Sequence, residues 1–396
     1  MSTVVANAGL EGFVVTDSKI CAVDGERGRL LYRGIDIGEL AQRSTYEETV
    51  YLLWYGELPT REQLEAFKAS LAAEREVDEG IWALLHTLPG RPQPMEALRT
   101  AVSALACCDP DNGTEHKEAN LNKAIRLTAK MPTIIAYYHR YMQNQERVRP
   151  DPELGHAENF LYMLRGERPR PLEARALDMA MILMADHELN ASTFAARVTA
   201  STLSDMYSAI TSAIGTLKGP LHGAANQRAM EMLLEIGSIE NAESYIEAAL
   251  AAKKRIMGFG HRVYKTGMDP RVIYLREMLH EVCMRLGNCH FYHLPVVVAS
   301  IVKEKKGLHP NVDFFAAPLL YTLGIPVNLF TPVFAASRVA GWTAHVIEQY
   351  ENNRLLRPLS NYVGPTDRSY VPIEQRNGHL SEQLLSYTVH EEACVQ

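Results

Sequence analysis

Apolar residues recur three and four positions apart along most of this chain, a pattern that leaves little room for anything but a helical fold. The stretches 46–55, 61–75, 94–107, 121–141, 171–188 and 204–217 carry it, and further helical stretches follow at 240–257 and 270–286. Pro94 and Pro171 suit the first turn of a helix, and Ser192 and Ser204 are candidate N-caps. Strand-like residues are confined to the start, where 20–23 and 30–32 flank Gly25-Glu26-Arg27-Gly28 and predict a small β-hairpin. The expected fold is therefore mainly α with a small N-terminal β-hairpin.

At 396 residues the chain is long enough to divide into more than one domain. Turn-rich punctuation at Lys218-Gly219-Pro220 and Gly324-Ile325-Pro326 frames the expected division. A large helical domain takes 1–219 and 326–396, and a small helical domain takes 220–325. The tail from Arg357 is rich in Pro, Gly, Tyr and Asn, which predicts an extended arm, frayed after Glu391.

Hydrophobic residues make up 47% of the chain and charged residues 22%, enough to bury a core without metal or disulfide staples. Forty Lys and Arg against 47 Asp and Glu give a formal charge of −7, which argues against a nucleic-acid binder. A local basic pocket for an anionic ligand remains compatible with that balance. No apolar run approaches the ~18 residues of a membrane span. The opening MSTVVANAGLEGF lacks the basic and apolar regions of a signal peptide. Cys21, Cys107, Cys108, Cys283, Cys289 and Cys394 form no CxxC pair and read as free thiols. A cytoplasmic setting is expected.

Four segments place polar groups against small residues and turns: ADHELNAST around His187, GPLHGAAN around His222, GFGHRVYK around His261 and PNVDF around Asp313. His222 and His261 lie in glycine-flanked turns, where the backbone can approach a ligand closely. His187 ends a very apolar stretch, which equally fits a hydrogen-bonded core histidine, and Asp313 equally fits a helix N-cap. His187-Glu188 does not continue as HExxH, and no GxSxG segment occurs, so zinc-protease and serine-hydrolase chemistry find no support and no metal is expected. Lys253, Lys254 and Arg255 precede the His261 turn, Lys265 follows it, and Lys303, Lys305 and Lys306 precede Asp313. Such runs are either solvated helix faces or a polyphosphate site. Arg271, Arg338 and Arg357 have the planar fork that matches the carboxylates of a small diacid.

Taken in order, GPLHGAAN, GFGHRVYKTGMDPR, PNVDFFAAPLLY and FAASRVAGWTAHVIEQ closely resemble the citrate synthase family. ADHELNASTFAARV and LLYRGIDIGELA extend the match over nearly the whole chain. The resemblance implies a two-domain helical homodimer whose small domain closes over its substrates, acetyl-CoA and oxaloacetate, with no cofactor beyond the CoA co-substrate. It implies that His222 hydrogen-bonds the thioester oxygen, Asp313 removes a methyl proton and His261 polarises the ketone. It places His187, Arg271 and Arg338, with His222 and His261, around oxaloacetate, and Arg357 as the arginine contributed across the dimer. It implies CoA contacts from Lys253, Arg255, Lys265, Lys305, Lys306 and Asn311. Asp186 stands where some relatives carry Glu. The segment between Arg271 and Asp313 is short beside some relatives, and the additional N-terminal domain of NADH-inhibited hexameric relatives is not expected here. Three other outcomes stay open: 2-methylcitrate synthesis from propionyl-CoA, a non-catalytic homologue that forms assemblies, and a CoA-binding protein without chemistry.

Overall fold

The computed structural model describes residues 8–10, 12–264 and 267–376. Val15–Leu356 form one compact unit, and the described residues before Val15 and after Leu356 belong to a second. Strands β1 (Cys21–Asp24) and β2 (Arg29–Tyr32) make the expected hairpin, with Cys21 opposite Tyr32. A third strand, β3 (Ile35–Asp36), pairs antiparallel with β2. Two residues are too few to show alternation, which is why the sequence pattern does not reveal it.

All the remaining regular structure among the described residues is helical. A first run holds α1 (Ile37–Arg43), α2 (Tyr46–Tyr55), α3 (Arg61–Ala73), α4 (Glu79–Thr87), α5 (Pro94–Leu105) and the long α6 (Lys117–Met142). Next come α7 (His156–Arg165), α8 (Pro171–Met184), α9 (Ala191–Ser201) and α10 (Met206–Leu217). The last group is α11 (Ala225–Ile236), α12 (Ile239–Ala251), α13 (Arg271–Leu286), α14 (His290–Lys306), α15 (Val312–Thr322) and α16 (Phe330–Glu351). Pro94 and Pro171 occupy first-turn positions as expected, where the missing N–H costs nothing.

The two expected serine caps are corrected. Asn190 caps α9, its Oδ1 accepting the Thr193 N–H at 3.1 Å, and Asp205 caps α10, accepting the Ser208 N–H at 2.9 Å. Asn and Asp present an acceptor oxygen one bond farther from the backbone than Ser does, and here that reach meets the third helical N–H. Ser192 is thereby released from capping and lies inside α9, facing His222.

Helix α16 runs through the core with every residue from Phe330 to Ile347 buried, the behaviour of a helix packed on all sides. Each large apolar side chain sealed this way contributes about 1.5–3 kcal/mol. Polar handles from α2 fix the packing: the Tyr46 hydroxyl donates to Ala336 O and Ser337 O, and Trp54 Nε1 donates to Ala340 O. At Gly341 the helix touches the end of α8, its N–H donating to Ala185 O at 3.1 Å. A Cβ there would collide with the Asp186 carboxylate, so only glycine permits this approach. Among the described residues no helix is long and apolar enough to cross a membrane.

Candidate active site

Helix α8 ends at Met184, and the chain turns through Asp186, His187 and Glu188, the last with a positive φ of 53°. Tyr32 holds this turn from the hairpin: its hydroxyl donates to Asp186 O at 2.8 Å and accepts the Asp186 N–H at 3.0 Å. The fully buried Asp186 carboxylate lies 3.2 Å from His345 Nε2 on α16. Burial pushes its pKa up, but the neighbouring His345 and Arg338 outweigh that and hold it below the usual carboxylate range. The shorter acid at this position therefore anchors the turn to α16.

His187 is buried above that anchor, with Nε2 3.2 Å from the Tyr264 hydroxyl and its ring 5.2 Å from that of His261. Burial, then the Arg271 charge and, after the neighbouring His261, the Arg338 charge, lower its pKa well below the ordinary histidine value, so it is neutral at pH 7.

His222 precedes α11 in the glycine-flanked turn. Its Nε2 faces Ser192 Oγ at 2.8 Å and the Ser192 backbone N–H at 3.3 Å. A backbone N–H can only donate, so Nε2 is the acceptor and the ring proton belongs on Nδ1. Ser192 is itself held by Trp342 Nε1 at 3.0 Å and by Asn190 Oδ1 at 2.8 Å. Burial, and after it the Arg338 charge, lower the His222 pKa to about 4. The ring is neutral, with one defined donor.

His261 follows the same logic with the opposite tautomer. Its Nδ1 accepts the N–H groups of Val263 (3.0 Å) and Tyr264 (3.3 Å), leaving the proton on Nε2. Burial and the Arg271 charge lower its pKa to about 4. The loop carrying His261 is clamped to the loop before α15. Gly260 N–H donates to His309 O, Asn311 N–H to Gly258 O, and Asn311 Nδ2 to Gly260 O. Gly25, in the hairpin turn, packs so closely on Val263 that a Cβ would collide with the Val263 carbonyl.

Asp313 sits at the start of α15. The N-cap is Asn311, whose Oδ1 accepts the Asp313 N–H at 3.1 Å, so the Asp313 side chain is spared that task. Its Oδ1 is sealed from solvent and has no hydrogen-bond partner among the described residues. Burial, with the Asp269 charge adding to it and Arg271 and Arg338 opposing, raises this carboxyl to about 7. A carboxylate left without donors is a proton acceptor in waiting.

Two buried arginines supply the positive field. Arg271 is forked onto Asp269 with Nε–Oδ1 at 2.9 Å and Nη2–Oδ2 at 2.7 Å. Arg338 donates Nε to Met184 O at 2.7 Å, stacks over Phe334 and has no ion-pair partner among the described residues. The charge of Arg338 reaches His187, His222 and Asp313, and that of Arg271 reaches His187, His261 and Asp313. Arg357 is exposed and belongs to the second unit. Of the cations expected near CoA, Lys253, Arg255 and Lys306 are exposed, while Lys305 pairs with Glu243 (3.0 Å) and Glu247 (2.6 Å). Lys265 lies outside the described residues. Among the described residues no group of three or more His, Cys, Asp or Glu is disposed to hold a metal ion.

The comparisons with known proteins place the chain in a family. The family model described as "Citrate synthase, C-terminal domain" matches residues 9–359. The chain belongs to the citrate synthase family. It is 49% identical to "Citrate synthase 2" of Bacillus subtilis over 372 residues, which cover 94% of this chain and 99% of the relative. It is 42% identical to "2-methylcitrate synthase 1" of Corynebacterium glutamicum, covering 95% of this chain and 100% of the relative. Among solved structures, the citrate synthase of the archaeon Thermoplasma acidophilum, in a ternary complex with carboxymethyl coenzyme A and oxaloacetate, superposes with a TM-score of 0.88. That match has 34% identity and covers 93% of this chain and 98% of that one.

Several residues that shape the candidate site in this citrate synthase family member carry no sequence signal of their own. Ser192, which faces His222, reads as a candidate cap, and Trp342, which holds Ser192, appears only within the FAASRVAGWTAHVIEQ segment. Asp269 was visible only as part of the DPR triplet, and Tyr264 only as a neighbour of His261. Each acts through a contact between segments distant in the chain, which periodicity cannot report.

Proposed function

We propose that this chain condenses acetyl-CoA with oxaloacetate and hydrolyses the resulting thioester, giving citrate and CoA. The observation that carries the proposal is the pairing of two neutral histidines of opposite tautomer with a half-buried aspartate whose Oδ1 has no donor among the described residues. The methyl protons of a thioester are far weaker acids than a carboxylic acid. Asp313 can take one only if the oxygen that gains charge is met by a donor at the same time, and His222 Nδ1–H is that donor. A neutral imidazole suits this work, since imidazolium would surrender its proton to the enolate outright. The enol carbon then attacks the ketone of oxaloacetate, whose oxygen gains charge beside His261 Nε2–H. His187, Arg271 and Arg338 bind the carboxylates, and closure of the small domain (220–325) on the large one keeps water from acetyl-CoA until condensation is complete.

The protein works as a homodimer in this proposal, with Arg357 of the partner subunit completing the diacid site. Leu359, Tyr362, Val363, Tyr370 and Ile373, all exposed in the second unit, supply apolar surface for a second copy to cover. Lys253, Arg255, Lys265, Lys306 and Asn311 serve the CoA side, and Lys305 joins them on release from its glutamates. The described cysteines are all unpaired, in keeping with a reducing cytoplasm.

Propionyl-CoA is the competing acyl donor, favoured by the likeness to a 2-methylcitrate synthase. One extra methylene in an apolar pocket changes selectivity only about 10- to 200-fold, so the same residues serve both. Thiol release from acetyl-CoA and propionyl-CoA, each with and without oxaloacetate, tests the proposal. Release that needs oxaloacetate and favours acetyl-CoA supports it, preference for propionyl-CoA moves it to methylcitrate, and no release from folded protein sinks it.

A further inference from the structure

Tyr264 touches both histidines on the diacid side of the site, through different parts of the residue. Its hydroxyl lies 3.2 Å from His187 Nε2. Its ring packs on His261 with centroids 4.6 Å apart, and on His187 at 5.7 Å. Its backbone N–H donates to His261 Nδ1 at 3.3 Å. The side chain is 3% exposed, and burial raises its pKa, so the phenol keeps its proton. We propose that Tyr264 is a positioning residue for oxaloacetate: its hydroxyl sets the orientation of His187, while its ring and backbone hold His261.

This inference rests on the citrate synthase proposal above, because it assigns His187 to binding and His261 to the ketone. The consequence is a separation of effects. Losing the hydroxyl alone loosens His187, a contact made equally in the bound and transition states, so the Michaelis constant for oxaloacetate rises and kcat holds. Losing the ring also loosens His261, whose donor strengthens only as charge develops, so kcat falls too. Neither change touches His222 or Ser192, which serve the thioester end.

The experiment compares the parent protein with Tyr264→Phe and Tyr264→Leu, with thiol release measured against each substrate in turn. Tyr264→Phe, which keeps the ring and the backbone donor, is expected to raise KM for oxaloacetate about 3- to 10-fold, the effect of one neutral hydrogen bond. Its kcat and its KM for acetyl-CoA stay within about twofold, a margin well below one such bond. Tyr264→Leu is expected to lower kcat as well. A purely structural role would move both KM values, or thermal stability alone, in Tyr264→Phe. Unchanged oxaloacetate KM in a stable, active Tyr264→Phe protein overturns the inference. Absence of oxaloacetate-dependent release in the parent overturns the functional proposal instead, so the two failures are distinct.

Discussion

Asp269 grips Arg271 through both carboxylate oxygens while Oδ2 also accepts the Val312 N–H at 3.1 Å, one residue before Asp313. A single buried carboxylate thus connects a proposed diacid-binding arginine to the start of the helix that carries the proposed base. Burial pushes the Asp269 carboxyl up, and the Arg271 ion pair outweighs it and holds it below its ordinary range.

Replacing Asp269 with Asn removes the negative charge and keeps the shape. The buried Arg271 then lacks its counter-charge, and breaking such a pair costs about 3–5 kcal/mol of stability, readable by chemical denaturation. The Asp269 charge is also one of the influences that raise Asp313. In its absence the Asp313 carboxyl moves down, and the acid limb of the kcat/KM profile moves to lower pH in a variant that remains folded. An unmoved limb would separate Asp269 from the base.

Ser192→Ala tests the tautomer of His222. The backbone N–H of residue 192 still donates to Nε2, so the ring proton stays on Nδ1 and activity survives at about a third to a tenth of the parent's kcat. Trp342 Nε1 loses its acceptor, which costs about 1–3 kcal/mol in thermal or chemical unfolding. Complete loss of activity in a folded variant would show that the hydroxyl, and not the backbone, fixes the ring.

His156 provides a pH test away from the site. It is buried at the start of α7 beside Tyr46, its Nε2 has no partner among the described residues, and burial together with the Arg75 charge lowers it to about 3. A histidine depressed in the folded state lends stability that is complete above its ordinary value near 6.5 and is lost as pH falls towards 3. The loss runs at about 1.4 kcal/mol per pH unit. Asp178 in the same cluster, raised to about 7 by burial and the Glu47 charge, acts in the opposite sense, losing stability as pH rises from about 4 to 7. The comparison of His156→Gln with the parent removes that contribution. The variant is less stable at pH 7, and its deficit shrinks as pH falls from 6.5 to 4. A constant deficit would contradict the assignment.

Much of this molecule was legible in the sequence, and the exceptions share a cause. The bounds of α2 and the prolines opening α5 and α8 follow from periodicity and the missing proline N–H. The hairpin followed from apolar runs around a glycine turn. The strand β3 and the caps Asn190 and Asp205 did not, since two residues carry no period and neighbouring Asx and Ser compete for one helix start. At the site, His222, His261 and Asp313 stood out by their glycine and proline surroundings. The tautomers did not, because they depend on Ser192, Val263 and Tyr264 lying opposite particular ring nitrogens. The orphaned Asp313 oxygen and the ion pair of Lys305 with Glu243 and Glu247 belong to the same class of facts, fixed by packing between distant segments.

The central claim is that Asp313 removes the methyl proton, and oxaloacetate-dependent thiol release by Asp313→Asn tests it most directly. The substitution keeps size and shape and deletes the base. The expected result is a fall in kcat of about 10²- to 10⁴-fold, with oxaloacetate binding and thermal stability close to the parent's. Turnover within tenfold of the parent in a folded protein would contradict it.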